Sequence, residues 1–268
     1  MKIFMKIGVT GISGRMGRSI ANLVQQDDIA QLSAALTRKS SAAEGQDLGE
    51  FLGYDESGVK ITSNIDEFLG NCDAVIDFTS PNNSLNIAKK CAKMKKVLVC
   101  GTTGFTDEEK VEFSDNSKDT VIIWSSNMSL GVNLLMNLSE EVSKILRDDF
   151  DVEIVEMHHK HKMDAPSGTA LSLGAAVAAG RNINLKENAN MARVGKDAKR
   201  IKGEIGFATL RGGDVVGDHS VIFAGEGERI ELTHKASNRE VFAKGAIRAA
   251  IWGSVKEPGF YSMRDVLK

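Results

Sequence analysis

The sequence predicts an α/β fold, in which a doubly wound parallel sheet is joined to a second α+β domain with a mixed or antiparallel sheet. Three observations support this prediction. Short apolar strands alternate with helices over the first half of the chain. A glycine-rich turn links the first predicted strand to the first helix. After residue 151, three further strands follow one another through links of hairpin length.

The first element is an apolar strand at residues 3–9, and a turn with three glycines follows it at residues 11–17. A helix comes next, with Met16, Ile20, Leu23 and Val24 on one stripe. In a Rossmann-like sheet, this order of strand, glycine turn and helix binds the phosphates of a dinucleotide. The spacing here is G-x-x-G-x-x-G, so a tight turn that packs a helix onto its strand is the alternative interpretation.

The following elements continue the alternation of strand and helix. The predicted strands are apolar and cover residues 32–36, 74–78, 97–100 and 121–124. Helices are predicted at residues 65–69, after Ser80 and Pro81, and after a capping box formed by Thr106 and Glu109. Residues 40–58 are polar and rich in glycine, which predicts a surface excursion, and residues 59–62 predict a short strand.

Small polar loops come directly after four of these strands, at residues 11–17, 79–80, 101–104 and 125–129. In parallel sheets, ligands bind beyond the carboxyl ends of the strands. Because all four loops belong to one edge, together they indicate a ligand site more strongly than any one of them does.

The end of the second strand bears on the choice of cofactor. NAD-selective sites of this type place an acid there to bind the ribose 2′-hydroxyl, but this chain has Leu36, Thr37, Arg38 and Lys39. The planar guanidinium of Arg38 suits a 2′-phosphate, and Arg15 provides a second cation. We therefore expect NADPH to be used at least as well as NADH. The alternative is that Arg38 and Lys39 are solvated loop charges.

The second domain begins with a long helix whose apolar stripe is predicted to be core, and this stripe comprises Leu134, Leu135, Leu138, Val142, Ile145 and Leu146. A strand is predicted at residues 152–159 and a helix at 166–180, with Pro166 in its first turn. Three antiparallel strands are predicted at 203–211, 215–224 and 228–234. The basic run at residues 196–202 predicts a solvated loop, with a substrate lid as the alternative. Ser237 and Glu240 predict a capping box for a last helix.

A dense group of charges lies between the first strand and the first short helix of this domain. Six ionisable residues occupy seven positions, namely His158, His159, Lys160, His161, Lys162 and Asp164. The helix behind them starts with Ser167, Gly168 and Thr169, and the first N–H groups of a helix have no partner within it. Cations beside such a helix end indicate a pocket for a carboxylate or phosphate, next to groups that can transfer protons.

Two other interpretations of this group remain open. The charges are also compatible with a solvated loop, and three close histidines can bind a metal ion. His158 and His159 are adjacent, however, so on a strand they face opposite sides. The neighbouring lysines would also repel a metal cation. We therefore favour an anionic-substrate site without a metal.

Composition excludes several other classes of protein. The net charge is −2, which gives no general attraction to nucleic acid or to anionic membranes. The sequence contains no apolar run long enough to span a bilayer. Three cysteines without a C-x-x-C motif, Cys72, Cys91 and Cys100, are typical of free thiols in a reducing compartment.

The run from Glu156 to Ala170, Glu-Met-His-His-Lys-His-Lys-Met-Asp-Ala-Pro-Ser-Gly-Thr-Ala, resembles the defining motif of 4-hydroxy-tetrahydrodipicolinate reductases, also called dihydrodipicolinate reductases. The resemblance extends to residues 11–17, 101–104, 211–217 and 233–239. The histidine and lysine motif is highly specific, whereas the glycine turn alone is not.

The resemblance implies an NAD(P)H-dependent oxidoreductase of the cytoplasm, in lysine and diaminopimelate biosynthesis. Its substrate would be a cyclic imine dicarboxylate, 4-hydroxy-tetrahydrodipicolinate, which NADPH or NADH reduces to tetrahydrodipicolinate with loss of water. The resemblance also implies a homotetramer assembled through the second sheet. It places the dinucleotide-binding domain at residues 1–128 plus 239–268, and the domain for substrate binding and oligomerisation at residues 129–238.

The same resemblance assigns roles to individual residues. His158 falls on the proton donor and Lys162 on the second catalytic group, while His159, Gly168 and Thr169 fall on substrate-binding positions. The implied cofactor-binding positions lie in three loops and comprise Gly11, Ile12, Ser13, Gly14, Arg15, Met16, Gly101, Thr102, Thr103, Ser125, Ser126, Asn127 and Met128. Arg38 joins them through the argument from charge given above.

Two rival classes follow from the same features. A non-catalytic dinucleotide sensor would keep the glycine turn but would have no need of the histidine and lysine cluster. A metal-assisted hydrolase would use the histidines as ligands and would lose activity in chelator. Oxidation of the reduced nicotinamide that depends on a dicarboxylate separates the reductase from the sensor.

Overall fold

The computed structural model describes residues 4–268, and the chain divides into two compact units. One unit runs to Ser129 and resumes at Glu240–Lys268, and the other is Leu130–Arg239. Ile3, the predicted start of the first strand, lies outside the described residues. Within the described chain, no helix is both long and apolar enough to cross a membrane.

The first unit contains the predicted parallel sheet. Its strands are β1 Met5–Thr10, β2 Ala30–Leu36, β3 Ala74–Asp77, β4 Val97–Cys100 and β5 Val121–Trp124. Its helices are α1 Arg15–Gln25, α2 Leu48–Leu52, α3 Ile65–Gly70, α4 Pro81–Met94 and α5 Asp107–Asp115. The strands pair in parallel in the order β2-β1-β3-β4-β5, so their carboxyl ends follow one another along a single edge.

Local sequence signals explain where several of these helices begin. The capping box before α5 is confirmed, because the Thr106 hydroxyl accepts from the Glu109 N–H at 3.2 Å and the Glu109 carboxylate accepts from the Thr106 N–H at 2.8 Å. Pro81 opens α4 with Ser80 at the N-cap position, although the Ser80 side chain makes no capping bond. The core between sheet and helices includes fully buried Phe68.

Residues 40–62 differ from the prediction of a polar surface excursion and a strand. Ala43 and Leu48 are buried, and the Asp47 carboxylate caps α2 by accepting from the Gly49 N–H at 2.8 Å. The predicted strand at 59–62 forms only isolated bridges. The polar composition concealed the few apolar side chains that anchor this segment.

The second unit contains a mixed sheet with helices on one face. Its elements are α6 Leu130–Leu146, β6 Asp151–His158, α7 Gly168–Arg181, α8 Leu185–Asn188, β7 Ala189–Asn190, β8 Ile205–Arg211, β9 Gly217–Gly225 and β10 Glu228–Ala236. The order is β10-β9-β6-β8-β7, with β6 parallel to β8 and antiparallel to β9. A mixed sheet is thus confirmed.

The predicted hairpin between β8 and β9 is wrong, because β6 lies between these two strands. The link between them passes over the end of β6 and bonds to it. The Gly212 N–H donates to the His158 carbonyl at 2.9 Å, and the His159 N–H donates to the Val215 carbonyl at 2.8 Å. A link of hairpin length therefore spans one inserted strand, which places Arg211 beside His158.

The prediction that the apolar stripe of α6 is core is wrong for half of its members. Leu134, Leu138 and Ile145 are 50%, 44% and 74% exposed. The face that packs on α7 uses small residues instead, since a Cβ on Gly180 would lie 2.3 Å from the Glu140 carbonyl oxygen. Helical spacing is compatible with either of two neighbouring stripes of α6 being buried. Because α7 approaches closely, the buried stripe is the one with smaller side chains, including Ser143.

Two predicted helix starts are also corrected. Helix α7 begins at Gly168 with Ser167 as N-cap, so Pro166 precedes the helix, in a cis peptide bond, and is not in its first turn. The last helix begins at Glu240, so the capping box with Ser237 is wrong. Strand β10 extends to Ala236, which leaves Ser237 in the link that leaves the sheet.

The C-terminal segment completes the first unit. It consists of α9 Glu240–Gly253, β11 Gly259–Tyr261 and α10 Met263–Val266, and β11 pairs in parallel with β5. In the second unit, the basic run at 196–202 exposes its lysines as predicted for a solvated loop. Arg200 differs, because it forms ion pairs with Asp151 and Glu153.

Candidate active site

The glycine turn of the first unit is built for close approach of backbone atoms. Gly11 has φ +61°, and a Cβ on Gly17 would lie 2.3 Å from the Gly11 carbonyl oxygen. Helix α1 begins at Arg15 with Gly14 as N-cap, and no side chain caps its first turn. A bare helix end behind a glycine turn is a binding site for phosphate.

A cleft of about 510 Å³ lies beside this turn. It is bounded by the turn, the end of β2 and the start of α4, and it is lined by Gly11, Ser13, Gly14, Leu36, Thr37, Arg38, Ser41, Phe78, Thr79, Ser80 and Asn83. Arg38 is exposed and Thr37 is buried, with the Thr37 hydroxyl 3.2 Å from that of Ser13. Ser41 and Asn83 were not among the predicted site residues.

Two further groups of predicted cofactor positions lie along the same sheet edge. Residues 101–103 follow β4 and residues 125–128 follow β5, beyond the lining of the cleft. Ile12, Thr102 and Met128 are buried, so their side chains do not line an open surface. The sequence of loops along the edge, from Arg38 to Ser126, suits a long ligand such as a dinucleotide.

The end of β6 in the second unit places an imidazole on a buried carboxylate. His158 and Glu156 are two residues apart on one strand, so they face the same side of the sheet. Nδ1 of His158 lies 2.6 Å from Oε2 of Glu156. Their side chains are 11% and 1% exposed. A Cβ on Gly217 would lie 3.0 Å from Nε2 of His158, so glycine at this position leaves room for the ring.

Glu156 is held by donors from two further elements. The Arg211 guanidinium donates to both carboxylate oxygens, at 2.8 and 3.0 Å, and the Ser167 N–H donates to Oε1 at 3.0 Å. Burial alone would raise the pKa of Glu156, but bonds from Arg211, His158 and Ser167 outweigh it and bring the pKa below its ordinary value. The carboxylate is therefore ionised at neutral pH.

A second histidine lies behind the first. The rings of His158 and His219 are 5.1 Å apart, edge to face, and Nε2 of His219 lies 3.1 Å from the Ser167 hydroxyl. That hydroxyl also caps α7 by accepting from the Ala170 N–H at 3.1 Å. Burial, helped by the nearby His158, lowers the pKa of His219 to about 4. Burial also lowers the pKa of His158, against the opposing effect of Glu156.

The other predicted substrate residues surround the start of α7. Gly168 is exposed, and a Cβ added to it would meet nothing within 4 Å. Thr169 and His159 are half-buried. Lys162 pairs with Asp164 at 2.9 Å in the loop that joins β6 to α7. A cation, a helix N-terminus with an exposed glycine and a carboxylate-bound imidazole thus belong to one strand–loop–helix segment.

Sequence reasoning missed four residues around His158. Glu156 and His219 contact its ring, whereas Ser167 and Arg211 bond to Glu156. Glu156 had a usable signal, because it precedes His158 by two positions on a strand. Arg211 lies in the segment 211–217 that shares the family resemblance, but no signal predicted its contact with Glu156 or the position of His219, since both depend on β6 lying between β8 and β9.

A parallel sheet with a glycine turn and a cleft at its carboxyl edge, together with a unit that carries a histidine beside a helix N-terminus, is the arrangement expected of a nicotinamide-dependent oxidoreductase. The chain belongs to the dihydrodipicolinate reductase family. The family's N-terminal model matches residues 5–128 and its C-terminal model matches residues 131–267. The family resemblance inferred from the sequence motif is confirmed.

Individual relatives agree with the family assignment. The chain is 48% identical to the 4-hydroxy-tetrahydrodipicolinate reductase of Roseobacter denitrificans, over 98% of this chain and 97% of that protein. It is 50% identical to the enzyme of the same name from Agrobacterium fabrum, over 98% and 96%. The dipicolinate-bound dihydrodipicolinate reductase of Paenisporosarcina sp. TG-14 has the same fold, with a TM-score of 0.77 at 24% identity, covering 99% of this chain and all of that one.

Proposed function

We propose that this chain reduces 4-hydroxy-tetrahydrodipicolinate to tetrahydrodipicolinate with loss of water, at the expense of NAD(P)H, in lysine and diaminopimelate biosynthesis. The observation that supports this most directly is the imidazole of His158, whose Nδ1 lies 2.6 Å from the buried Glu156, which also bonds to the N-cap residue of α7. Membership of the family and relatives about half identical in sequence support the same activity.

His158 is the proton donor in this proposal. Reduction of a conjugated imine places electron density on the ring, which then needs a proton, and histidine can supply one near neutral pH. A reduced nicotinamide, when bound, supplies the hydride. The chain's own residues orient the substrate and deliver the proton from the His158 ring.

The substrate carboxylates are bound around α7. The N–H groups of Gly168 and Thr169 form the start of this helix, where an anion is favoured. Lys162 supplies a cation once it leaves Asp164, and His159 adds a polar side chain beside them. Each charge-assisted hydrogen bond in a partly dry pocket contributes about 1.5–3 kcal/mol.

The cofactor lies along the sheet edge of the first unit in this proposal. The glycine turn suits the pyrophosphate, because α1 begins directly behind it and no side chain caps the first turn of that helix. Residues 101–103 and 125–128 lie toward the other end of the dinucleotide. NADPH is used at least as well as NADH, since Arg38 borders the cleft and Thr37 replaces an acid.

We also propose a cytoplasmic homotetramer assembled through the second unit. Helices α6 and α7 cover one face of its sheet. On the other face, Val155, Met157 and Ile222 are half-buried and Leu210 is 49% exposed. A second copy of the chain would bury this apolar surface. The second unit is accordingly the one for substrate binding and oligomerisation, and the first is the dinucleotide-binding unit.

The deciding experiment couples the purified protein to the upstream synthase and follows the absorbance of the reduced nicotinamide. We expect oxidation that requires the dicarboxylate, is unaffected by chelator and is inhibited competitively by dipicolinate, the ligand bound to the Paenisporosarcina protein. Cofactor binding without any dicarboxylate-dependent oxidation would instead indicate a dinucleotide sensor.

A further inference from the structure

Glu156 is an unusual residue to find in a sheet interior. Its side chain is 1% exposed, and a buried carboxylate is costly unless donors surround it. Its four bonds come from the ring of His158, the N–H of Ser167 and both terminal nitrogens of Arg211. The fold thus retains a charge in contact with the proposed proton donor, at a place where an apolar side chain would pack more cheaply.

We propose that Glu156 is the positioning residue of the proton donor, and that Arg211 tunes it; this inference rests on the proposed function. An ionised carboxylate can only accept hydrogen bonds. Nδ1 of His158 must therefore carry a hydrogen and donate it to Glu156. Nε2 is then the ring nitrogen that gains and loses a proton, and the one available to the substrate.

The two charged partners of His158 act in opposite directions. The negative charge of Glu156 favours the protonated imidazolium, whereas the positive charge of Arg211 disfavours it. The other titratable groups facing His158 are His219 on β9 and Lys162 in the following loop. Arg211 keeps Glu156 ionised and also donates to the Asp164 carbonyl at 2.6 Å, so it holds the loop that carries Lys162.

The same carboxylate also anchors the substrate side of the site. Oε1 of Glu156 accepts from the N–H of Ser167, the N-cap of α7, while Oε2 binds the ring of His158. One side chain therefore fixes both the proton donor and the helix end proposed to bind the substrate carboxylate. Its loss should lower kcat and raise KM together.

The test compares Glu156→Gln with Arg211→Gln. The pKa of His158 is measured by NMR of isotope-labelled histidine in the free enzyme, and kcat/KM is measured against pH. Glu156→Gln should lower the pKa of His158 by about 1 unit or more, and Arg211→Gln should raise it by a smaller amount. Since the donor must be protonated, the alkaline limb of kcat/KM should move to lower pH in Glu156→Gln and to higher pH in Arg211→Gln.

Glu153 provides a matched control. It lies on the same strand but faces the other side of the sheet, where it pairs with Arg193 and Arg200. Glu153→Gln should leave the pKa of His158 unchanged. If Glu156 has a purely structural role, Glu156→Gln and Arg211→Gln should change the pKa of His158 in the same way. Shifts of this pKa in the same direction in both variants, or no shift in either, would overturn the proposal.

Two milder variants keep the test valid if a glutamine variant does not fold. Glu156→Asp retracts the carboxylate and should give a smaller shift of the same sign, whereas Arg211→Lys keeps the charge and should restore most of the wild-type profile. A rise in the pKa of His158 in Glu156→Asp, or a shift in Arg211→Lys as large as that in Arg211→Gln, contradicts the proposal. Because the NMR titration needs no turnover, an inactive wild-type protein with the predicted shifts would refute the proposed function and leave the positioning role intact.

Discussion

Each unit of the molecule buries a carboxylate near the carboxyl end of a central strand, but the two are stabilised differently. Asp77, at the end of β3, is bound by hydroxyl groups of Thr10, Thr79, Ser84 and Thr102. Glu156, near the end of β6, is bound by a guanidinium, an imidazole and a backbone N–H. Both side chains are almost completely buried.

The difference in donors indicates a structural role for Asp77 and, for Glu156, a role beside the proposed proton donor. The hydroxyl donors of Asp77 come from β1, the loop after β3, α4 and the loop after β4, so the carboxylate ties together the loops along the cofactor edge. None of these hydroxyls titrates near neutral pH. Glu156 instead contacts the imidazole of His158, a group that can gain and lose a proton. We infer that Asp77 holds the loops at the sheet edge in place, and that Glu156 influences the protonation of His158.

The largest expected effect is that of replacing His158, the proposed proton donor. His158→Gln should lower kcat by about 10²–10⁴, because general acid catalysis contributes that much. Affinity for the reduced nicotinamide, measured by fluorescence titration, should stay near wild type, since the cofactor edge belongs to the first unit. Nearly unchanged turnover would show that Glu156 does not serve proton transfer.

The next effect concerns stability against pH. The pKa of His219 is about 4 in the folded state and about 6.5 when exposed. Between these values the unfolded chain binds a proton that the folded chain does not, so stability falls as pH drops from 6.5 to 4. His219 should account for about 3 kcal/mol of that loss, and His219→Gln should remove it.

Urea unfolding at pH 4–8 measures this effect in wild type and His219→Gln. Both tryptophans, Trp124 and Trp252, belong to the first unit, so their fluorescence reports that unit, while circular dichroism reports both. The difference between the two proteins should appear in circular dichroism. Parallel pH curves for wild type and variant would contradict the assignment of a buried neutral histidine.

A smaller effect is expected at the hydroxyl-bound carboxylate. Asp77→Asn keeps the shape but turns two N–H donors toward groups that themselves donate, which should cost about 1–3 kcal/mol of stability. Cofactor affinity should fall as the loops at Thr79 and Thr102 loosen, and the pH dependence of kcat/KM should not move. Asp73→Asn, at the other end of β3 and exposed, is the matched control and should leave cofactor affinity unchanged.

The two carboxylates also show how far the sequence could be interpreted. The alternation of strands and helices predicted the sheet that holds Asp77, because each local signal describes a local element. The partners of Glu156 depended on strand order, and the link after Arg211 had the length of a hairpin although it crosses β6. Residues His158 and Lys162 were predicted because they lie in one continuous motif; their roles stay predictions.

The α6 helix shows the same limit in packing. Spacing alone could not distinguish the stripe of Leu134, Leu138 and Ile145 from its neighbour. The choice is made by α7, whose Gly180 lies against the α6 backbone. The close approach of α7 depends on Gly180 of that helix, so the sequence pattern of α6 alone could not predict which face is buried.

The smallest expected effect concerns Arg38, an exposed residue at the proposed cofactor cleft that does not contact Asp77. Arg38→Ala should lower kcat/KM for NADPH by about tenfold, near the value of one charge-assisted hydrogen bond of about 1.4 kcal/mol. The loss with NADH should be much smaller, because NADH has no 2′-phosphate. Lys39→Ala, which removes a neighbouring exposed cation, is the matched control.

Ionic strength distinguishes a direct contact from a general field. A contact between Arg38 and the 2′-phosphate is ionic and partly exposed, so the selective loss should be larger at low salt and shrink as salt screens the charges. Thr37 is buried beside Ser13 and carries no charge, so it would not repel the phosphate as an acid would. Equal losses with both cofactors, or a wild-type preference for NADH above about tenfold (~1.4 kcal/mol), would mean that Arg38 is only a solvated charge and that the cleft does not select for the phosphate.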